Sequence, residues 1–150
     1  MNLSQIQSLA DIATLFLTNP ETGEALRDEE GTHVGISLYN KSLPSKGKVL
    51  QRKLVAFNAC RDRALNLISA TDKDADSKIC EIEGAHFDRV IQAQAEWYNS
   101  LFVGSIGKLL IDDKPLTAEN FSDALNRFDW LSAQVEAFLA DSETFAKKPS

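Results

Sequence analysis

The stretch His33–Ile68 reads HVGISLYNKSLPSKGKVLQRKLVAFNACRDRALNLI, and its hydrophobic period changes part-way along. Val34, Ile36 and Leu38 alternate with His33, Gly35, Ser37 and Tyr39, which is the period of a strand with one buried face. Beyond the punctuation at Pro44 and Gly47, Leu50, Leu54, Phe57, Ala64, Leu65 and Ile68 recur at helical spacing and predict a helix over 48–68. Arg61 interrupts this stripe, but an arginine stem can lie on apolar surface while its charge reaches water. The expected class is therefore α+β, mainly helical with a small N-terminal β-hairpin.

Working outward from there, Ile12–Leu17 (IATLFL) is a compact apolar run suited to a strand, ended by Asn19-Pro20 and Thr22-Gly23. The DEEG at Asp28–Gly31 makes a second turn, so 12–39 reads as a strand pair. Two strands alone are marginal and must lie on helices or gain strands from a partner. Met1–Asp11 reads as a short helix or a loose arm.

On the other side, Thr71–Glu83 (TDKDADSKICEIE) reads as an acidic connector. Phe87, Val90, Ile91, Tyr98, Leu101 and Phe102 then predict a helix over 85–103, ended by Gly104 and Gly107. After the turn DDKP at 112–115, Leu116–Ala140 carries the best-organised apolar pattern in the chain. Thr117 is placed to cap a helix, with Leu116 and Phe121 as its hydrophobic staple. Asp129 and Trp130 break the phase, so 118–140 is expected as two short helices or one kinked helix, the second piece capped by Asp129. Only Phe145 anchors 141–150, which reads as a flexible tail. The whole of 1–150 is expected to be a single domain.

The net charge is -6 and the pI about 4.9, an acidic balance that argues against nucleic acid or an anionic membrane as main partner. Seven of the sixteen basic residues nevertheless fall between Lys41 and Arg63, making 48–68 a locally basic helix. Cys60 and Cys80 form neither a disulfide framework nor a metal-like cluster. No apolar run approaches membrane-spanning length and no leader pattern is visible, so a soluble intracellular protein is expected.

Few residues suggest chemistry. Asp72, Asp74 and Asp76 with Glu83 at position twelve follow the spacing of a calcium loop, making a weak metal candidate. Ser77 stands where the loop needs glycine, and Cys80 is a poor ligand at the ninth position. His33 and His86 are the only histidines, and neither has a nucleophile or a ligand set placed beside it. The glycines follow neither phosphate-loop pattern. No catalytic residue and no cofactor are expected. Most aromatics fit a core at helical spacing. Trp97, Trp130 and Phe145 are the candidates for exposed partner anchors, with Lys48, Arg52 and Lys53 as supporting charges.

The residues NPETGE at 19–24, the strand HVGISLY, and the loop NKSLP before the basic helix form one recognisable series. LFVGSIGKLLIDDKPL at 101–116, AENF at 118–121, FDWLSAQVEAF at 128–138 and a closing aromatic at Phe145 continue it. In this series the chain resembles the tail assembly chaperones of long-tailed bacteriophages. The resemblance implies an α+β or mainly helical fold, no enzyme activity, and transient binding to the tape measure protein before the tail tube forms. It further implies homo-oligomers around that partner, a frameshifted longer form that recruits tail tube subunits, action in the host cytoplasm, and absence from the mature virion. The alternatives are another small phage structural or adaptor protein, a calcium-binding regulatory module, and a small enzyme.

Overall fold

The structure is a computed structural model that describes residues 11–141, 144 and 145. In chain order the elements are β1 (Ile12–Phe16), β2 (Gly35–Tyr39), α1 (Gly47–Asn66), α2 (Ala75–Leu101), β3 (Phe102–Ile106), β4 (Leu110–Ile111), β5 (Lys114–Pro115), α3 (Phe121–Arg127) and α4 (Asp129–Ala140). The fold is α+β and predominantly helical, with a small antiparallel sheet. It divides into two compact units, one made by residues up to Leu43 with those from Tyr98 onward, the other by Pro44–Trp97.

In the first unit β1 and β2 pair antiparallel, with Ile12 opposite Tyr39 and Leu15 opposite Ile36. The alternation in β2 does what its period requires: Val34, Ile36 and Leu38 are buried. Between the strands, the amide of Leu17 donates to Val34 O, that of Val34 to Leu26 O, and that of Leu26 to Leu17 O, so the intervening loop is tied back into the hairpin. The Gln134 side chain on α4 extends this ladder, its amide donating to Thr18 O at 2.8 Å while its oxygen accepts from Thr18 N at 3.1 Å. Two backbone groups that lack a strand partner are thereby satisfied from a helix. Phe121 and Val135 close the interior, with Phe102 and Phe121 rings 5.2 Å apart.

Three boundaries differ from expectation. The strand pair gains a third member, β3, which pairs antiparallel with β2 and places Phe102 opposite Leu38 beyond a bulge at Ser37/Leu38. Phe102 and Val103 therefore leave the helix expected over 85–103, since pairing with β2 offers Phe102 a buried site. That helix also begins ten residues early, at Ala75, through the supposed connector. Nothing between Asp72 and Glu83 is a breaker, Gly84 is tolerated inside the helix, and acids at its start suit the positive end of the dipole. Asp72 Oδ1 accepts from Asp74 N at 3.0 Å just ahead of the first turn.

The expected break in 118–140 is present, but the helix start moves to Phe121. Asn120 accounts for the shift: its oxygen accepts from Thr117 N at 2.7 Å and its amide donates to Pro115 O at 3.1 Å, holding 117–120 in a turn. Phe128 sits in extended conformation between α3 and α4, and Asp129 is the first residue of α4 rather than its cap. Phe145 is buried, its ring edge-on to Phe138 at 5.6 Å. The rest of the expected tail, apart from Asp141 and Thr144, and all of 1–10 lie outside the described residues.

In the second unit, α1 matches the helix expected over 48–68 closely. Lys53 Nζ meets Glu96 at 3.6 Å and the Trp97 indole donates to Lys46 O at 2.7 Å, so the start of α1 lies beside the end of α2 in an antiparallel hairpin. None of the twenty residues of α1 is buried. Ala93 alone is buried on the α2 portion of this unit.

Candidate functional site

The candidate anchors meet three different fates. Phe145 is sealed in the first unit, which removes it as an exposed anchor, because the Phe138 ring covers it. Trp97 is half-buried and spends its N–H on Lys46 O within the hairpin. Trp130 is half-buried in the first unit, where it lines an apolar cleft of 140 Å³ with Leu17, Leu109, Leu116 and Phe128. Phe128 and Leu110 at this cleft remain 38 % and 44 % exposed, so the cleft is open to an incoming apolar side chain.

The cleft owes its shape to the break between α3 and α4 and to the β4–β5 turn. Asp112 and Asp113 take left-handed conformations (φ 51° and 63°) to close that turn. Arg127 grips the Asp112 carboxylate with both terminal guanidinium nitrogens, the longer bond being 3.1 Å, and lies over the Phe128 ring at 5.5 Å. That hydrogen-bonded pairing holds the Asp112 carboxyl below the ordinary carboxylate range and raises Arg127. The pair fixes the turn beside the cleft and offers no reactive group.

Asp28 is a second ordered carboxylate of the same unit. It accepts backbone N–H bonds from Thr32 at 2.9 Å, Glu30 at 3.0 Å and Lys108 at 3.0 Å. These bonds, led by that from Lys108, lower its pKa, so Asp28 is an ionised clip joining two loops. Gly107 beside it has φ 75°, and an added Cβ would stand 3.0 Å from Val34 Cγ1.

The remaining sequence candidates are not brought together. Asp72 is paired with Lys78, while Asp76 and Glu83 lie within α2, so the twelve-residue loop that calcium needs is replaced by helix. Among the described residues no group of three His, Cys, Asp or Glu side chains could hold a metal ion. His33 Nε2 lies 3.0 Å from Leu17 O with its ring against Phe16, whereas His86 is on α2 in the other unit. Both cysteines are free and exposed. Lys48 and Arg52 are exposed on α1 beside Gln51 and Val55, and Lys53 is engaged with Glu96.

Compared with protein-family models, curated proteins and solved structures, the chain matches none. No helix among the described residues is long and apolar enough to cross a membrane. Periodicity alone missed the exposed Phe87 and Ile91 on α2 and Val55 on α1. Phe87 and Ile91 stand four apart and read in sequence as core. The only available signal is arithmetic: two helices facing each other cannot cover every apolar position each carries.

Proposed function

We propose that this chain is a phage tail assembly chaperone that transiently binds the tape measure protein in the host cytoplasm and leaves before the virion is complete. The observation that carries the reading is the open apolar cleft at Trp130, lined by Leu17 together with residues between Leu109 and Leu131, most of which belong to the C-terminal part of the series that carries the resemblance. A tape measure protein is a long helix that exposes apolar residues until the tube encloses it. A cleft of 140 Å³ takes one such side chain at a time, which suits reversible attachment. Lys48, Arg52 and Lys53 act in support as steering charges. Tail tube subunits join through the partner or through a longer form of the chain. Catalysis has no part in this role.

Co-expression with a tape measure protein provides the test. The wild type is expected to bind and solubilise that protein, and a folded Trp130→Ala variant to bind more weakly by about 2 kcal/mol or more. Failure of the wild type to bind overturns the reading. Equal binding by the variant moves the anchor away from the cleft. Changing Lys48, Arg52 and Lys53 together to Glu is expected to slow association and alter its salt dependence.

A further inference from the structure

The apolar cleft at Trp130 does not end at its own rim. Leu109 and Leu110 line it and also line a wider trough of 610 Å³ in the same unit, so the two cavities adjoin across these leucines. Asp28, Glu29 and Glu30 line the trough as well, with Gly107 and Lys108. A segment lying over Leu109 and Leu110 therefore meets apolar walls at the cleft and carboxylates at the trough.

Charge decides what such a segment carries. The stretches 1–43 and 98–150 that make up this unit hold fourteen acids and seven bases, against eight acids and nine bases in 44–97. Among the described residues lining the trough, three are acids and one, Lys108, is a base. Asp28 is already occupied, since its oxygens accept the backbone bonds from Thr32, Glu30 and Lys108. Glu29 and Glu30 are exposed and make no ion pair among the described residues. Beside the cleft, Arg127 is committed to Asp112 and Asp123. An incoming base thus finds two uncommitted carboxylates, whereas an incoming acid meets three carboxylates and one ammonium.

We propose that the helical segment seated at Trp130 carries a lysine or arginine three or four residues from its apolar anchor, and that this base reaches the carboxylates of Glu29 and Glu30. The proposal rests on reading the cleft as the tape measure site, and it adds the chemistry that selects one stretch of a long apolar-striped helix over another. Residues three or four apart on a helix are neighbours about 5–6 Å from one another, so one face presents both groups at once. The stem of a lysine or arginine can lie on Leu109 and Leu110 while its charge stays in water beside the carboxylates. The cleft supplies the apolar anchorage and the trough supplies the selection.

Two synthetic helical peptides test it by titration calorimetry against the full chain. They share one leucine stripe and differ only in carrying lysine or glutamate three and four positions after each leucine. The wild type is expected to bind the lysine peptide at least about fivefold more tightly at low salt, with the gap closing as salt is added. Trp130→Ala is expected to weaken both peptides, because it damages the shared anchorage. Glu29→Gln with Glu30→Gln should remove the preference, and Glu29→Lys with Glu30→Lys should reverse it in favour of the glutamate peptide. A reversed preference cannot come from a misfolded chain, and circular dichroism checks each variant's helix content. Equal binding of the two peptides by the wild type, binding of neither, or a lysine preference that survives the Gln variant overturns the proposal. Failure to capture a tape measure protein in co-expression overturns the functional reading instead, whereas capture without a lysine preference overturns this inference alone.

Discussion

In the unit built from β1–β3, α3 and α4, the side chains of Leu17, Ile36, Leu38, Leu101, Phe121 and Val135 are fully sealed from water, whereas the twenty residues of α1 in the other unit bury none. Both regions carry apolar residues at regular spacing. They differ in what lies opposite. A sheet with helices against its inner face covers alternate residues from two directions, while α1 lies along α2 without burying any of its own residues. The same apolar period therefore builds a core in one unit and leaves a surface in the other.

Truncations should separate the units most sharply. Phe121→Ala empties a fully buried site against Phe102 and is expected to cost about 3–5 kcal/mol in urea denaturation. Phe57→Ala, at a partly exposed site on α1, should cost less than Phe121→Ala, since part of that residue already meets water. Equal costs would break the distinction drawn between the units.

Next in size are glycine substitutions within the sheet. A Cβ on Gly35 would stand 2.9 Å from Leu15 O and 3.1 Å from the Phe16 ring, so Gly35→Ala must push β1 away from β2. A loss of about 1–3 kcal/mol is expected. Gly104 on β3 has nothing within 4 Å of the same added atom, and Gly104→Ala should be nearly neutral by the same denaturation assay. The pair locates the tight packing between β1 and β2.

Amide hydrogen exchange examines the comparison without mutation. Protection in α1 is expected to fall about tenfold or more below that in β2 when the chain is dilute enough to be monomeric, because few buried contacts hold the hairpin closed.

The smallest effect concerns acid. The folded pKa of Asp28 is lowered, chiefly by the Lys108 backbone bond, so its contribution is fully present above the usual carboxylate range and is lost as pH falls through the folded value. Asp28→Asn should lower stability near neutral pH and flatten the decline on acidification. Asp72 in the hairpin is lowered by its bond from Lys78 and should behave with the same sign. Denaturation curves at neutral and acidic pH for Asp28→Asn and Asp72→Asn check this, and a steeper acid decline in Asp28→Asn would reverse the assignment.

Much of this was legible in the residues. The alternation of Val34, Ile36 and Leu38 marked β2 and its buried face, the stripe from Leu50 onward marked α1, and the phase break at Asp129 marked the division of α3 from α4. Boundaries failed where a distant partner intervened: β2 draws Phe102 into a strand, and Asn120 holds back the start of α3 through Pro115 and Thr117. At the candidate site, Trp130 was legible as an aromatic out of phase with its helix, but Phe145 and Trp97 were indistinguishable from it. Their difference lies in the Phe138 ring and the Lys46 carbonyl, which no local pattern specifies.

By itself the sequence determined the class of fold and the nature of most elements, because hydrophobic period and turn chemistry act over a few residues. Only the tertiary structure decided which apolar residues are covered. Burial depends on what stands on the far side of each element, and for Val55, Phe87 and Ile91 nothing in this chain's own described fold covers them fully.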